Sequence, residues 1–255
     1  MKKIDETRAE YHVYLVTNRH VLESIEKIEK AQVEEFSGKA KTDGGALAYL
    51  RFNPRGTGKA SEDFAAPLRK RDGTFEWFHH KDVDLTVLPI DTDVLNKAGM
   101  QYNFFYSDAH VADRAKASEL GLTEGDGAYA LGFPMGLVGG ERNFVIARQG
   151  SIARIRDFLG GSSREFLVDM LIFPGNSGGP VVTRTELNAI QGTKRQDRSY
   201  LIGVVRGYLP YRDVAVSKQT GLERVTFEEN SGLAAVIPMD FVMEVIEEHR
   251  KTLPK

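Results

Sequence analysis

Short runs of β-branched and aromatic residues, each closed by glycine, aspartate or asparagine, recur along almost the whole chain and leave little room for a helical fold. They cover 12–17, 46–52, 84–90, 128–133, 143–155, 166–172, 180–183, 200–205 and 233–237. Many short strands with turn signals between them fold as all-β sandwiches or barrels. Two segments break the pattern. Residues 21–30 set Leu22, Ile25 and Ile28 on one helical face, and 239–250 do the same with Phe241, Val242, Val245 and Ile246. The second helix has a marked start, with Pro238 ahead of it and Asp240 in its first turn.

Composition narrows the functional classes. A formal net charge of -2 argues against a large nucleic-acid surface. With 41% hydrophobic and 27% charged residues the chain is too apolar to be disordered. Cysteine is absent, which excludes disulfides, thiolate nucleophiles and zinc–thiolate sites. A reducing compartment and a bacterial periplasm are both compatible with that count. The first residues turn acidic at once and lack the apolar core of a signal peptide. As it stands the chain reads as cytoplasmic, or as periplasmic or secreted if a signal peptide lies upstream. No run approaches the ~20 apolar residues of a membrane span.

The strongest chemical signal is the run Phe173-Pro174-Gly175-Asn176-Ser177-Gly178-Gly179-Pro180 before a strand-like Val181-Val182. A nucleophilic serine needs an exposed hydroxyl on a tight turn and main-chain N–H groups aimed at the developing oxyanion. Flanking glycines permit that turn and let a substrate backbone approach. A serine is a poor nucleophile without a base. His20 closes the β-run that starts at Tyr14 and opens a helix, and Asp84 heads a buried β-run that continues to Ile90. Alone, each has a commoner bland reading: a capping or surface histidine, a turn aspartate. Together they follow the chain order His, Asp, Ser, which belongs to one class of triad enzymes and not to the subtilisins or α/β-hydrolases.

The chain resembles the trypsin-like serine peptidases of the chymotrypsin fold, and within them the cysteine-free bacterial branch of HtrA-type proteases. The likeness is carried by Thr17-Asn18-Arg19-His20-Val21, Asp84-Leu85-Thr86-Val87-Leu88 and Gly175-Asn176-Ser177-Gly178-Gly179-Pro180. Ala130 to Gly136, with Gly132-Phe133-Pro134 at its centre, resembles the opening of the second barrel, and Gly232 to Pro238 resembles the last strand. It implies an all-β fold of two six-stranded-type antiparallel barrels with a C-terminal helix. We expect an N-terminal barrel over 1–107 carrying His20 and Asp84, a linker over 108–124, and a C-terminal barrel over 125–255 carrying Ser177. The terminal helix is expected on the outside of the second barrel, and 38–81 is expected to form long surface loops between strands.

The resemblance also assigns roles. Ser177 would attack the scissile carbonyl, His20 would take and return its proton, and Asp84 would orient His20. The oxyanion hole would lie in Gly175-Asn176-Ser177, with the N–H groups of Gly175 and Ser177 as donors. Leu171 and Ile172 would approach the base of the specificity pocket, and Val205, Arg206, Gly207 and Tyr208 would line its wall and pair with the substrate. No acid stands at the pocket base, so selection for Lys or Arg is not implied. Arg206 reads either as a contact for acidic substrates or, the commoner case, as a solvated charge on an edge strand. Asn176 replaces the aspartate that pairs with a new N-terminus in digestive enzymes, so activation by that salt bridge is not expected. The implied partner is a protein or peptide substrate, with no cofactor and no metal.

Two features depart from the pattern. Ile4 to Glu10, where the family has the first strand of its first barrel, is charged and strand-poor. Either that strand is replaced or the chain starts inside its parent gene. Little follows the terminal helix, so no peptide-binding PDZ domain is expected. The main rival to an endopeptidase is therefore an inactive trypsin-like fold that binds a peptide or protein. An esterase using the same serine is a weaker alternative. Adjacent His79 and His80 point to opposite strand faces and read as a surface loop, not a metal site. Trp77 is expected to pack against the first barrel.

Overall fold

The computed structural model describes residues 3–5, 8–9, 11–36, 47–56, 58–70, 72–185 and 197–253. The chain forms two compact units. One comprises residues 1–106, 138–144 and 241–255, and the other 107–137 and 145–240.

In the first unit, β1 (Lys3–Asp5) and β2 (Arg8–Ala9) pair antiparallel with each other. The charged N-terminal segment thus does form strand, because main-chain pairing does not require an apolar sequence. β3 (Val13–Thr17) leads into α1 (Arg19–Phe36). β4 (Leu47–Pro54) and β5 (Glu62–Pro67) form a hairpin, and β6 (Phe78–His79) and β7 (Thr86–Ile90) follow. α2 (Thr92–Lys97) and β8 (Met100–Gln101) complete the run. Among the described residues the strands make separate sheets, β3-β7-β6, β5-β4-β8 and β1-β2, instead of one closed barrel. β5 and β6 lie in the region expected to be loop. Glu62 and Asp63 hide the strand, since one face of β5 is solvated and Asp63 there pairs with Arg51 across the hairpin.

Leu22 of α1, Ala48 of β4, Leu68, Trp77 and Leu88 of β7 form a shared core, with Leu15 and Ile25 against it. Trp77, 4% exposed, lies inside this core. The register between β3 and β7 matters most. Thr17 lies opposite Thr86, so the chain leaving β3 and the chain entering β7 emerge side by side.

The second unit begins with α3 (Arg114–Leu120), so the expected linker is largely structured. Ala112, Ala117 and Leu122 from this stretch are buried in the second unit's core. The strands are β9 (Gly127–Gly132), β10 (Ile146–Arg154), β11 (Phe166–Asp169), β12 (Pro180–Thr183), β13 (Leu201–Val216) and β14 (Glu223–Pro238), with α4 (Arg156–Leu159) between β10 and β11. They close a barrel in the order β9-β10-β11-β14-β13-β12. Alternate residues such as Phe166 and Val168, or Ala128 and Ala130, fill its interior. β13 and β14 run far past their expected limits. Beyond the barrel they continue as a two-stranded ribbon, with Tyr211 opposite Glu229 and Ala215 opposite Val225.

The terminal helix α5 (Met239–Thr252) corrects one expectation, since from Phe241 onward it belongs to the first unit. The Tyr14 hydroxyl and His249 Nδ1 share a hydrogen bond at 2.9 Å, and His249 packs on Phe78. Burial pushes the His249 imidazole below its ordinary value, and burial raises the Tyr14 phenol. An amphipathic pattern defines a buried face but does not name the partner. Among the described residues no helix is long and apolar enough to cross a membrane.

Candidate active site

The first unit brings His20 and Asp84 together. His20 is the second residue of α1, where main-chain N–H groups lack helical partners. Its N–H donates to one Asp84 carboxylate oxygen at 3.0 Å, and its ring Nδ1 lies 2.5 Å from the other. A carboxylate only accepts, so Nδ1 carries the proton and Nε2 is left as the acceptor. The side chains are 47% and 28% exposed. A pair so open to water contributes at most about 1 kcal/mol to stability. Its consequence is orientation: the helix end and the carboxylate fix one ring position and one tautomer. Asn18, fully buried, holds the same turn by donating from Nδ2 to the Asp84 carbonyl at 2.9 Å.

The second unit presents Ser177 on a turn pinned on both sides. The Asn176 N–H donates to the Phe173 carbonyl at 3.0 Å, and the Asn176 side-chain oxygen accepts the Phe173 N–H at 3.0 Å. Gly178 donates to Val205 and Val205 donates to Gly179, each at 2.9 Å. The Pro174 carbonyl accepts from the Met135 N–H at 2.6 Å. In a trans peptide the C=O and the following N–H point opposite ways. That bond therefore turns the Gly175 N–H away from Met135. Among the described residues neither the Gly175 nor the Ser177 N–H has a hydrogen-bond partner. Gly175 has φ +95°, and a Cβ there would meet the Phe133 carbonyl at 2.4 Å, so no other residue fits. Met135 itself holds φ 57°, an uncommon value for a non-glycine residue.

Several expected contributors have other tasks. The Asn176 N–H is consumed within the turn, which leaves Gly175 and Ser177 as the free donors of that trio. Ile172 and Val205 turn their side chains into the barrel core, and both Val205 main-chain groups are used by the glycine turn. Leu171 remains, 48% exposed. Arg206 pairs with Glu165 at 2.8 Å while 39% of its side chain stays exposed. The Tyr208 hydroxyl donates to Glu228 at 3.1 Å, a bond that raises the phenol above its ordinary value. Gly207, half-buried, lies between them on β13. Asn230, which sequence reasoning passed over, donates to the Ile172 carbonyl at 2.5 Å and braces the segment before the serine turn. Asn18, Glu165, Met135 and Asn230 were missed because each acts through a partner distant in sequence. Among the described residues no group of three or more His, Asp or Glu could hold a metal ion.

A family model described as "Trypsin-like peptidase domain" matches residues 4–188, and the chain belongs to that family. Its all-β architecture with a closed six-stranded barrel is that of the chymotrypsin fold. No curated protein matches the chain. Among solved structures it is similar to the inactive form of a serine-to-alanine mutant of Rv3671c from M. tuberculosis. That match has a TM-score of 0.38 and 14% identity, over 95% of this chain and 79% of the other.

Proposed function

We propose that the protein is a serine endopeptidase in which Ser177 is the nucleophile, His20 the general base and acid, and Asp84 the group that orients His20. The observation that carries this reading is the clamp of both Asp84 oxygens on His20, which leaves Nε2 as a proton acceptor. The attack of Ser177 Oγ on a peptide carbonyl passes its proton to Nε2. The resulting oxyanion is received by the N–H groups of Gly175 and Ser177. Collapse expels the amine, protonated by His20, and leaves an acyl-enzyme that water hydrolyses by the reverse roles. We place it with the cysteine-free, HtrA-like peptidases on its motifs, with the first unit supplying the base and the second the nucleophile.

The test is covalent. An aryl phosphonate ester, which mimics the tetrahedral intermediate, is expected to phosphonylate the folded protein once, with the adduct on the tryptic peptide containing Ser177. Absence of any adduct would favour the inactive, partner-binding alternative, and an adduct on another serine would reject the assignment.

The same reading extends to specificity. Leu171 is exposed and apolar, Arg206 is paired with Glu165, and no acid stands at Leu171 or Ile172. Cleavage is expected after small and medium apolar residues. Each buried methylene contributes only about 0.8 kcal/mol, so preference among aliphatics is shallow. Lys or Arg would lose hydration without a partner. Mass-spectrometric readout of a peptide-library digest checks this, and dominant cleavage after basic residues would overturn it.

A further inference from the structure

His80 takes no part in the chemistry above, yet it is one of the most deeply buried polar side chains of the first unit, 5% exposed. Its Nδ1 accepts two main-chain hydrogen bonds, from Asp82 at 3.0 Å and from Val83 at 3.1 Å. These are the two residues immediately before Asp84. A nitrogen that accepts two N–H groups carries no proton, so the proton is on Nε2. Nε2 lies 3.1 Å from a Glu244 carboxylate oxygen on α5, and Phe241 of the same helix meets the ring edge-on at 5.2 Å. The His80 N–H donates to the Leu85 carbonyl at 2.9 Å, and the Leu85 N–H to the Val83 carbonyl at 2.8 Å. The turn from His80 to Leu85 is thus wound around one imidazole.

We propose that His80 is a positioning residue for the catalytic pair: its Nδ1 fixes the turn that aims Asp84 at His20, and Glu244 fixes the tautomer in which it can do so. Asp84 is then held from three directions, by His80 through the preceding amides, by Asn18 through its carbonyl and by His20 through its carboxylate. Removing the first lets the turn shift. A displacement of about 1 Å at a catalytic group costs on the order of 100-fold in rate. The role rests on reading His20 and Asp84 as the catalytic pair, but it can be measured without turnover.

The proton between His20 Nδ1 and Asp84 is expected to give a far-downfield proton resonance, assigned by its loss in His20→Ala. His80→Phe keeps a ring of similar size but no acceptor. It is expected to lose or shift that resonance and to lower kcat about 100-fold with KM little changed. His80→Asn, with its oxygen at the δ position, is expected to restore the resonance and most of kcat. An unmoved resonance in His80→Phe overturns the proposal, as does failure of His80→Asn to differ from His80→Phe. Should His80→Phe not fold, nitrogen-15 spectra of the unmodified protein decide. A bare Nδ1 and a protonated Nε2 at neutral pH support the role, and the opposite tautomer or an imidazolium refutes it. Absence of the Ser177 adduct with the resonance responding as described would count against the peptidase reading alone.

Discussion

Replacing Ser177 by alanine is expected to lower kcat by about 10⁶-fold, with KM nearly unchanged, because nucleophile and base act as one unit. A residual rate of about 10³–10⁴ over water is expected to survive, supplied by the oxyanion donors and by binding. The structure separates this loss from misfolding. Among the described residues the Ser177 hydroxyl makes one hydrogen bond, to the Arg206 carbonyl, and it is 3.3 Å long. That exceeds the 2.5–3.0 Å of a good O–H···O bond, so little stability resides in it. Thermal unfolding of Ser177→Ala is expected to differ from that of the parent by no more than about 0.5 kcal/mol. Hydrolysis rates and melting curves on the same samples give both numbers. A variant that melts normally and still turns over within tenfold of the parent would remove Ser177 from the mechanism.

Asp84→Asn is expected to lower kcat by about 10⁴-fold, the scale on which a reversed tautomer acts. The geometry dictates the reversal. One carboxylate oxygen accepts the His20 main-chain N–H, which can only donate. In the amide, the oxygen must take that position and the NH₂ must face the ring. Nδ1 then becomes the acceptor and Nε2 carries the proton, so the base is blocked on the side that should receive it. The helix N-terminus keeps its partner, and the fold is expected to persist. Kinetics of the folded variant check this, and activity within tenfold of the parent would show that Asp84 does not set the tautomer.

The side chains proposed as catalytic stand out in the sequence through the motifs around them taken together. A glycine-walled serine and the residues flanking His20 and Asp84 each carry a pattern on a few consecutive positions. The barrel strands were readable for the same reason, as in Phe166 to Asp169, where buried and exposed residues alternate. The ribbon was not. Pro210, Asp213 and Thr226 interrupt the apolar period, and with both faces in water there is no burial to impose one. His80 was read as part of a surface loop because His79-His80-Lys81-Asp82 is polar throughout. Its burial depends on Glu244 and Phe241, which lie on α5 at the far end of the sequence. The same separation hid the placement of α5.

The closed barrel and the ribbon that grows from it have opposite colloidal characters. A closed sheet offers no unpaired main chain to a neighbour, whereas a two-stranded ribbon offers two such margins. Here they are dressed with the exposed side chains of Tyr211, Val214, Val216, Val225 and Phe227. Arg212, Asp213, Glu223, Glu228 and Glu229 are interspersed among them. These charges act as gatekeepers, breaking each apolar stretch before it becomes long enough to template stacking between molecules. The ribbon thus keeps its exposed apolar side chains divided by charge, a separation the closed barrel does not need.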